Sequence, residues 1–137
     1  MNVEELNRFF GPLAPGLHGV VFDEASTARI CGHIDVSPEL IAGTGFFFAP
    51  AIVSLADTLC AAGCGNNIPE GYSFTTIEMK TNFLASAKLG ERVAGVATAS
   101  HLGRQTHVWD VDVTNETTGR RMALFRCTQM ILQPRVA

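Results

Sequence analysis

APAIVSLADTLCAAG, residues 49–63, is the stretch whose reading decides the fold. Pro50 suits a first helical turn, where its missing N–H costs nothing, and Gly63 and Gly65 suit an end. A helix over Ala49 to about Gly63 spans about 22 Å at 1.5 Å per residue. Ala51, Ile52, Val53, Leu55, Ala56, Leu59, Cys60, Ala61 and Ala62 leave it almost no polar face. A helix that is apolar nearly all round is enclosed by other structure. Asp57 stands in its middle. An unpaired charge there is strongly disfavoured, so the carboxylate is satisfied by local hydrogen bonds, faces a subunit interface, or faces a ligand pocket.

Downstream of the turn residues Gly65-Asn66-Asn67 and Pro69-Glu70-Gly71, four runs read as strands: Ser73–Phe83, Arg92–His101, Thr106–Asn115 and Arg120–Leu132. In the third, His107, Trp109, Val111 and Val113 alternate with Val108, Asp110, Asp112 and Thr114, the pattern of a strand buried on one face. Turns at Leu102-Gly103-Arg104-Gln105 and Glu116-Thr117-Thr118-Gly119 make the last three runs hairpins. Upstream, Val20 to Ile34 reads as two extended segments broken near Ala25-Ser26. Residues 3–10 suit a small helix, followed by a turn-rich entry at Gly11, Pro12, Pro15 and Gly16. The order predicts an α+β domain, an antiparallel sheet curled around one central helix. It spans residues 1–137, with 1–16 as an N-terminal lead.

Composition bounds the function. The chain is 47% hydrophobic and only 17% charged, against a typical ~25% charged, which suggests that another subunit covers part of the surface. The net charge of -3 argues against a nucleic-acid partner. Charge is uneven, with nine acidic and two basic side chains in residues 1–79 but four acidic and eight basic in 80–137. An anionic ligand can therefore be met by the C-terminal half. Leu40 to Gly65 carries Asp57 as its one charge, but Gly43, Gly45 and Pro50 break it, so a buried helix is expected and no membrane span. The polar stretch Asn2 to Arg8 lacks the apolar run of a secretory signal, and a reduced cytoplasmic setting is expected for Cys31, Cys60, Cys64 and Cys127. Cys60 and Cys64 share a helix face without a His or Asp arranged beside them, so buried apolar roles are expected and no metal.

Ser54-Leu55-Ala56-Asp57-Thr58, with Gly43 and Gly45 before it and the run Tyr72 to Leu84 after it, resembles the phenylacetate-degradation-type thioesterases of the hot-dog superfamily. The resemblance continues through Ala87-Lys88-Leu89-Gly90-Glu91, Gly103-Arg104 and Ala123 to Gln129, and covers roughly residues 17–132. It implies a hot-dog fold and hydrolysis of an acyl-CoA thioester by a homodimer or homotetramer, with CoA as part of the substrate and no other cofactor. A non-catalytic acyl-CoA-binding module on the same fold is the alternative.

The resemblance also assigns roles. Asp57 activates the hydrolytic water or attacks the carbonyl. Nine residues before this acid the family usually carries His followed by two Gly, and here Phe48, Ala49 and Pro50 stand instead. The oxyanion donor is a backbone N–H that Ala49 keeps, and a helix N-terminus offers both free donors and a positive dipole end. The family's hydroxyl on the following strand, contributed by the neighbouring subunit, falls on Thr76, with Thr75 adjacent. Glu78, two residues from Thr76, is expected on the same strand face, as a structural or interface residue in preference to a second carboxylate at the site. Gly45, Phe46, Phe48 and Asn82 are expected at the substrate, and Lys88, Arg92, Gly103 and Arg104 at the CoA phosphates. No Ser or Cys is visibly partnered with His18, His33, His101 or His107. A hydratase is disfavoured, since an Asp-x-x-x-x-His pairing would need His where Ala62 stands.

Overall fold

The computed structural model describes residues 1–136. The N-terminal helix α1 (Val3–Phe10) begins at a capping box: Asn2 Oδ1 accepts from the Glu5 N–H at 2.9 Å, and Glu5 Oε2 accepts from the Asn2 N–H at 2.8 Å. Its Leu6 is buried in the core. Where only turns were expected, Ala14–Leu17 winds into one helical turn, α2, with Pro15 in its first positions. Strands β1 (Val21–Ala25) and β2 (Arg29–Asp35) follow. Between them the Ser26 hydroxyl accepts from the N–H groups of Ala28 and Arg29, which closes the break.

The central helix, α3, runs Ala49–Gly65, two residues beyond the expected end. Strands β3 (Ser73–Phe83), β4 (Arg92–Leu102), β5 (Thr106–Asn115) and β6 (Arg120–Leu132) match the predicted runs, β4 being one residue longer. They form one six-stranded antiparallel sheet in the order β1-β2-β4-β5-β6-β3. Helix α3 contacts every strand, so the sheet curls around it. The alternation in β5 holds, with His107, Trp109, Val111 and Val113 all buried.

Helix and sheet approach closely because residues of small volume stand at the crossing. A Cβ on Gly63 would lie 2.5 Å from the Trp109 ring, so the indole occupies the space a side chain would need. Leu55, Leu59 and Cys60 complete this inner face. Enclosure is incomplete, however. Ser54, Asp57 and Ala61, spaced three and four residues apart, form a stripe that the chain itself leaves partly open. No helix is long and apolar enough to cross a membrane among the described residues.

Candidate active site

Asp57 sits on that partly open stripe and is half-buried. Burial pushes its carboxyl above the usual aspartate range, and a hydrogen bond from Thr76 holds it back part of the way. Thr76 Oγ1 lies 3.0 Å from Asp57 Oδ1 and 3.0 Å from Gln129 Oε1. A hydroxyl has one proton and serves one acceptor at a time. The ionised carboxylate takes it in a charge-assisted bond, and Gln129 is satisfied when its amide turns its NH₂ toward Thr76.

This pair corrects an expectation. Thr76 was expected to reach Asp57 from a neighbouring subunit, yet the same chain supplies both, because β3 lies beside β6 with Thr76 opposite Gln129. The chain does not bring the expected Ala49 donor beside this pair. The Ala49 N–H meets no acceptor among the described residues and stands at the exposed start of α3. It precedes Asp57 by eight residues, about 12 Å along the helix axis. One carbonyl group cannot touch both ends of that distance.

Glu78 departs from expectation for a local reason. The pairing of β3 with β6 shifts between Thr76 and Glu78, leaving Ile77 as the extra residue of a bulge. The bulge reverses the alternation, so Glu78 points away from Asp57 and accepts from the Thr128 hydroxyl at 3.4 Å. Asn82 shares that outer face. It lines a groove of about 450 Å³ with Lys80, Asp110 and Arg126, on the side of the sheet opposite α3. Thr75 is exposed.

The loop before α3 separates its aromatics. Phe47 is 5% exposed and joins the core, whereas Phe46 and Phe48 are 40% and 49% exposed. Gly45, at φ +85°, makes the turn that allows this, with its N–H on the Ala42 carbonyl at 2.9 Å. Lys88 is exposed. Arg92 is committed elsewhere, its guanidinium donating to both Asp35 oxygens at 2.8 and 3.1 Å. Gly103 and Arg104 line a pocket of about 310 Å³ with Asn67, Tyr72 and His107. There Arg104 has no ion-pair partner among the described residues, and the buried His107 Nδ1 has no hydrogen bond.

An apolar pocket of about 340 Å³ opens one helical turn beyond Asp57. Leu6, Phe9 and Phe10 of α1 line it together with Ala61 and Ala62 of α3 and Phe74 of β3. Ala61 is one turn beyond Asp57, and Phe74 is two residues before Thr76, so the pocket lies on the C-terminal side of the carboxylate, which does not itself line it.

Two functional candidates went unrecognised in the sequence. Gln129 is polar yet fully buried, in phase with the inward residues Phe125 and Cys127 of β6, and that phase was its signal. Ser54 Oγ lies 2.9 Å from His18 Nδ1, a pairing across 36 residues that no spacing announces. Cys60 and Cys64 are buried as expected, and burial pushes the Cys64 thiol up to about 12 and raises Cys60 as well. No group of three metal-ligating side chains occurs among the described residues.

Comparison with known proteins agrees with this fold. The sequence pattern of the thioesterase superfamily matches residues 44–122. A 1,4-dihydroxy-2-naphthoyl-CoA hydrolase of Listeria monocytogenes is 28% identical over 117 residues, covering 85% of this chain and 94% of the relative. The crystal structure of a mutant of thioesterase PA1618 from Pseudomonas aeruginosa superposes with a TM-score of 0.90 at 26% identity, covering 96% of this chain and 94% of the other. The PaaI protein of the E. coli phenylacetic acid degradation operon shares the fold, with a TM-score of 0.77 at 21% identity over 93% of this chain and 90% of that one.

Proposed function

The chain belongs to the thioesterase superfamily, and from that membership we propose that it hydrolyses acyl-CoA thioesters to the free acid and CoA, as a phenylacetate-degradation-type enzyme of the hot-dog fold. The observation that carries this reading is the Asp57–Thr76 pair, with an apolar pocket beginning one helical turn away at Ala61. A carboxylate made more basic by burial, and oriented by a hydroxyl, suits a group that takes a proton from water or attacks a carbonyl itself. The apolar pocket suits the acyl group.

The active unit is at least a homodimer. Asp57 and Thr76 of one protomer act on a carbonyl whose oxygen is held by the N–H of Ala49 of the partner subunit, since about 12 Å separates the two within one helix. Strand β3 supports the pairing. It is a sheet edge of eleven residues with Ile77, Met79 and Phe83 each 44–52% exposed, and a long apolar edge is a template for a second strand. The tetramer, a pair of such dimers, is the other assembly compatible with this site. For the CoA phosphates, Arg104 beside His107, whose Nδ1 has no hydrogen bond, in the 310 Å³ pocket is the strongest candidate, whereas Asn82 on the far face and the committed Arg92 are poorer ones.

Position 48 favours a second reading, a binding module without catalysis, because Phe48 offers no side-chain donor where the family usually has His. Turnover separates the two. Purified protein is assayed against acyl-CoA esters from short aliphatic to aryl, with the acyl-carrier-protein esters beside them. Hydrolysis of any supports the enzyme, and tight binding without turnover across the set sinks it. Light scattering at micromolar concentration tests the dimer, and a fully active monomer would remove the shared site.

A further inference from the structure

We infer that Ser54, held by His18, donates the proton that the departing thiolate needs, an inference that rests on the thioesterase reading. The observation is the pair itself. Serine inside a helix ordinarily turns its hydroxyl back to the preceding turn or to solvent, but Ser54 Oγ lies 2.9 Å from His18 Nδ1. His18 is placed by a closed turn rather than by a floating loop. Its N–H donates to the Ala14 carbonyl at 3.0 Å, and the N–H of buried Val20 donates to the Pro15 carbonyl at 3.0 Å. The imidazole itself is exposed to solvent.

Position along the open stripe assigns the role. The apolar pocket begins at Ala61, on the C-terminal side of Asp57. Ser54 stands three residues to the N-terminal side, and side chains on a helix lean toward its N-terminus. An acyl group in the pocket with its carbonyl at Asp57 therefore directs its sulfur over Ser54. Cβ atoms at this spacing lie about 5–6 Å apart, which leaves room for a carbonyl carbon between an attacking oxygen and a departing sulfur.

The step balances. Water adds its oxygen to the carbonyl carbon and gives a proton to Asp57. The C–S bond breaks with its electron pair on sulfur. Sulfur takes the Ser54 hydroxyl proton, and Ser54 takes the Nδ1 proton of the imidazolium form of His18. Solvent reprotonates His18 and removes the proton from Asp57, so the products are a carboxylic acid and a thiol. Ser54 is the group that touches substrate; His18 is a positioning and supplying residue.

The test compares two thioesters of one acyl group, with CoA and with thiophenol as leaving group, on the wild type, Ser54→Ala, Ser54→Thr, His18→Asn and the double variant Ser54→Ala/His18→Asn. An alkyl thiolate needs the proton more than an aryl thiolate does. Ser54→Ala is expected to lose on the order of a hundredfold in kcat on the CoA ester, within the range of general-acid assistance, and far less on the phenyl ester. Ser54→Thr restores the hydroxyl and most of the rate, and the double variant is no slower than Ser54→Ala alone. Equal losses on both esters, full activity of Ser54→Ala, or additive losses in the double variant would reduce the pair to a tether between α2 and α3. His18→Asn, on an exposed turn, carries the same comparison if Ser54→Ala folds poorly. A wild type that hydrolyses neither ester overturns the thioesterase reading itself. A wild type that hydrolyses both while its variants lose equally overturns the relay alone.

Discussion

The Thr76 hydroxyl and Asp57 Oδ1 lie 3.0 Å apart, a contact between an edge strand and the central helix. It is the one hydrogen bond to this carboxylate from a side chain among the described residues. The proton affinity of Asp57 is therefore set by two opposed effects, burial and Thr76.

Asp57→Asn keeps the shape and removes the charge. If the carboxylate is base or nucleophile, kcat falls at least about a hundredfold with little change in KM, since the lost interaction is with the reacting atoms and not with bound nucleotide. The variant should also be more stable at neutral pH. The carboxyl is raised in the folded state, so the unfolded chain loses its proton first and stability falls as pH rises from the ordinary aspartate value through the folded one. Asn lacks that loss. Steady-state hydrolysis paired with denaturant unfolding checks both halves, and a variant less stable than wild type would make Asp57 a structural group.

Thr76→Val separates the two influences on the carboxyl. Removing the one hydrogen bond that lowers its pKa should move the acidic limb of the kcat/KM profile to higher pH. In the wild type that limb is expected above the ordinary aspartate range, since burial raises the carboxyl. A pH–rate comparison decides it; a limb unmoved in Thr76→Val would assign the titration to another group.

Phe48→Ala and Phe48→His test the loop before α3. Its ring is 49% exposed at the helix start, and the proposed oxyanion donor is the following backbone N–H. Both variants should fold and should shift the preferred acyl size more than the rate of the best substrate. Rates across acyl groups of different size are the measurement, and an equal loss on every substrate would place the ring at the reaction centre.

Gly63→Ala tests the closeness of helix and sheet. A methyl there meets Trp109 at 2.5 Å, and overpacking of this kind costs typically about 1–3 kcal/mol. Gly43→Ala is the control, since nothing lies within 4 Å of a Cβ at that position. A shift of the urea midpoint in the first and not in the second is expected; equal midpoints would mean that the indole yields freely.

Local pattern by itself determined the elements. The apolar run from Ala49, the punctuation by Pro50 and glycine, and the alternation through Trp109, Val111 and Val113 describe neighbours a few residues apart, whose geometry the backbone period fixes. Asp57 was legible for the same reason, as the one charge in an apolar helix. Tertiary structure alone decided what meets it. The bulge at Ile77 arises from register with β6 and turns Glu78 outward against the simple alternation. Gln129 reaches Thr76 across 53 residues, and His18 reaches Ser54 across 36. Such contacts depend on which strand pairs with which and on how far the sheet curls, and these are set by the packing of the whole core, which no local spacing encodes.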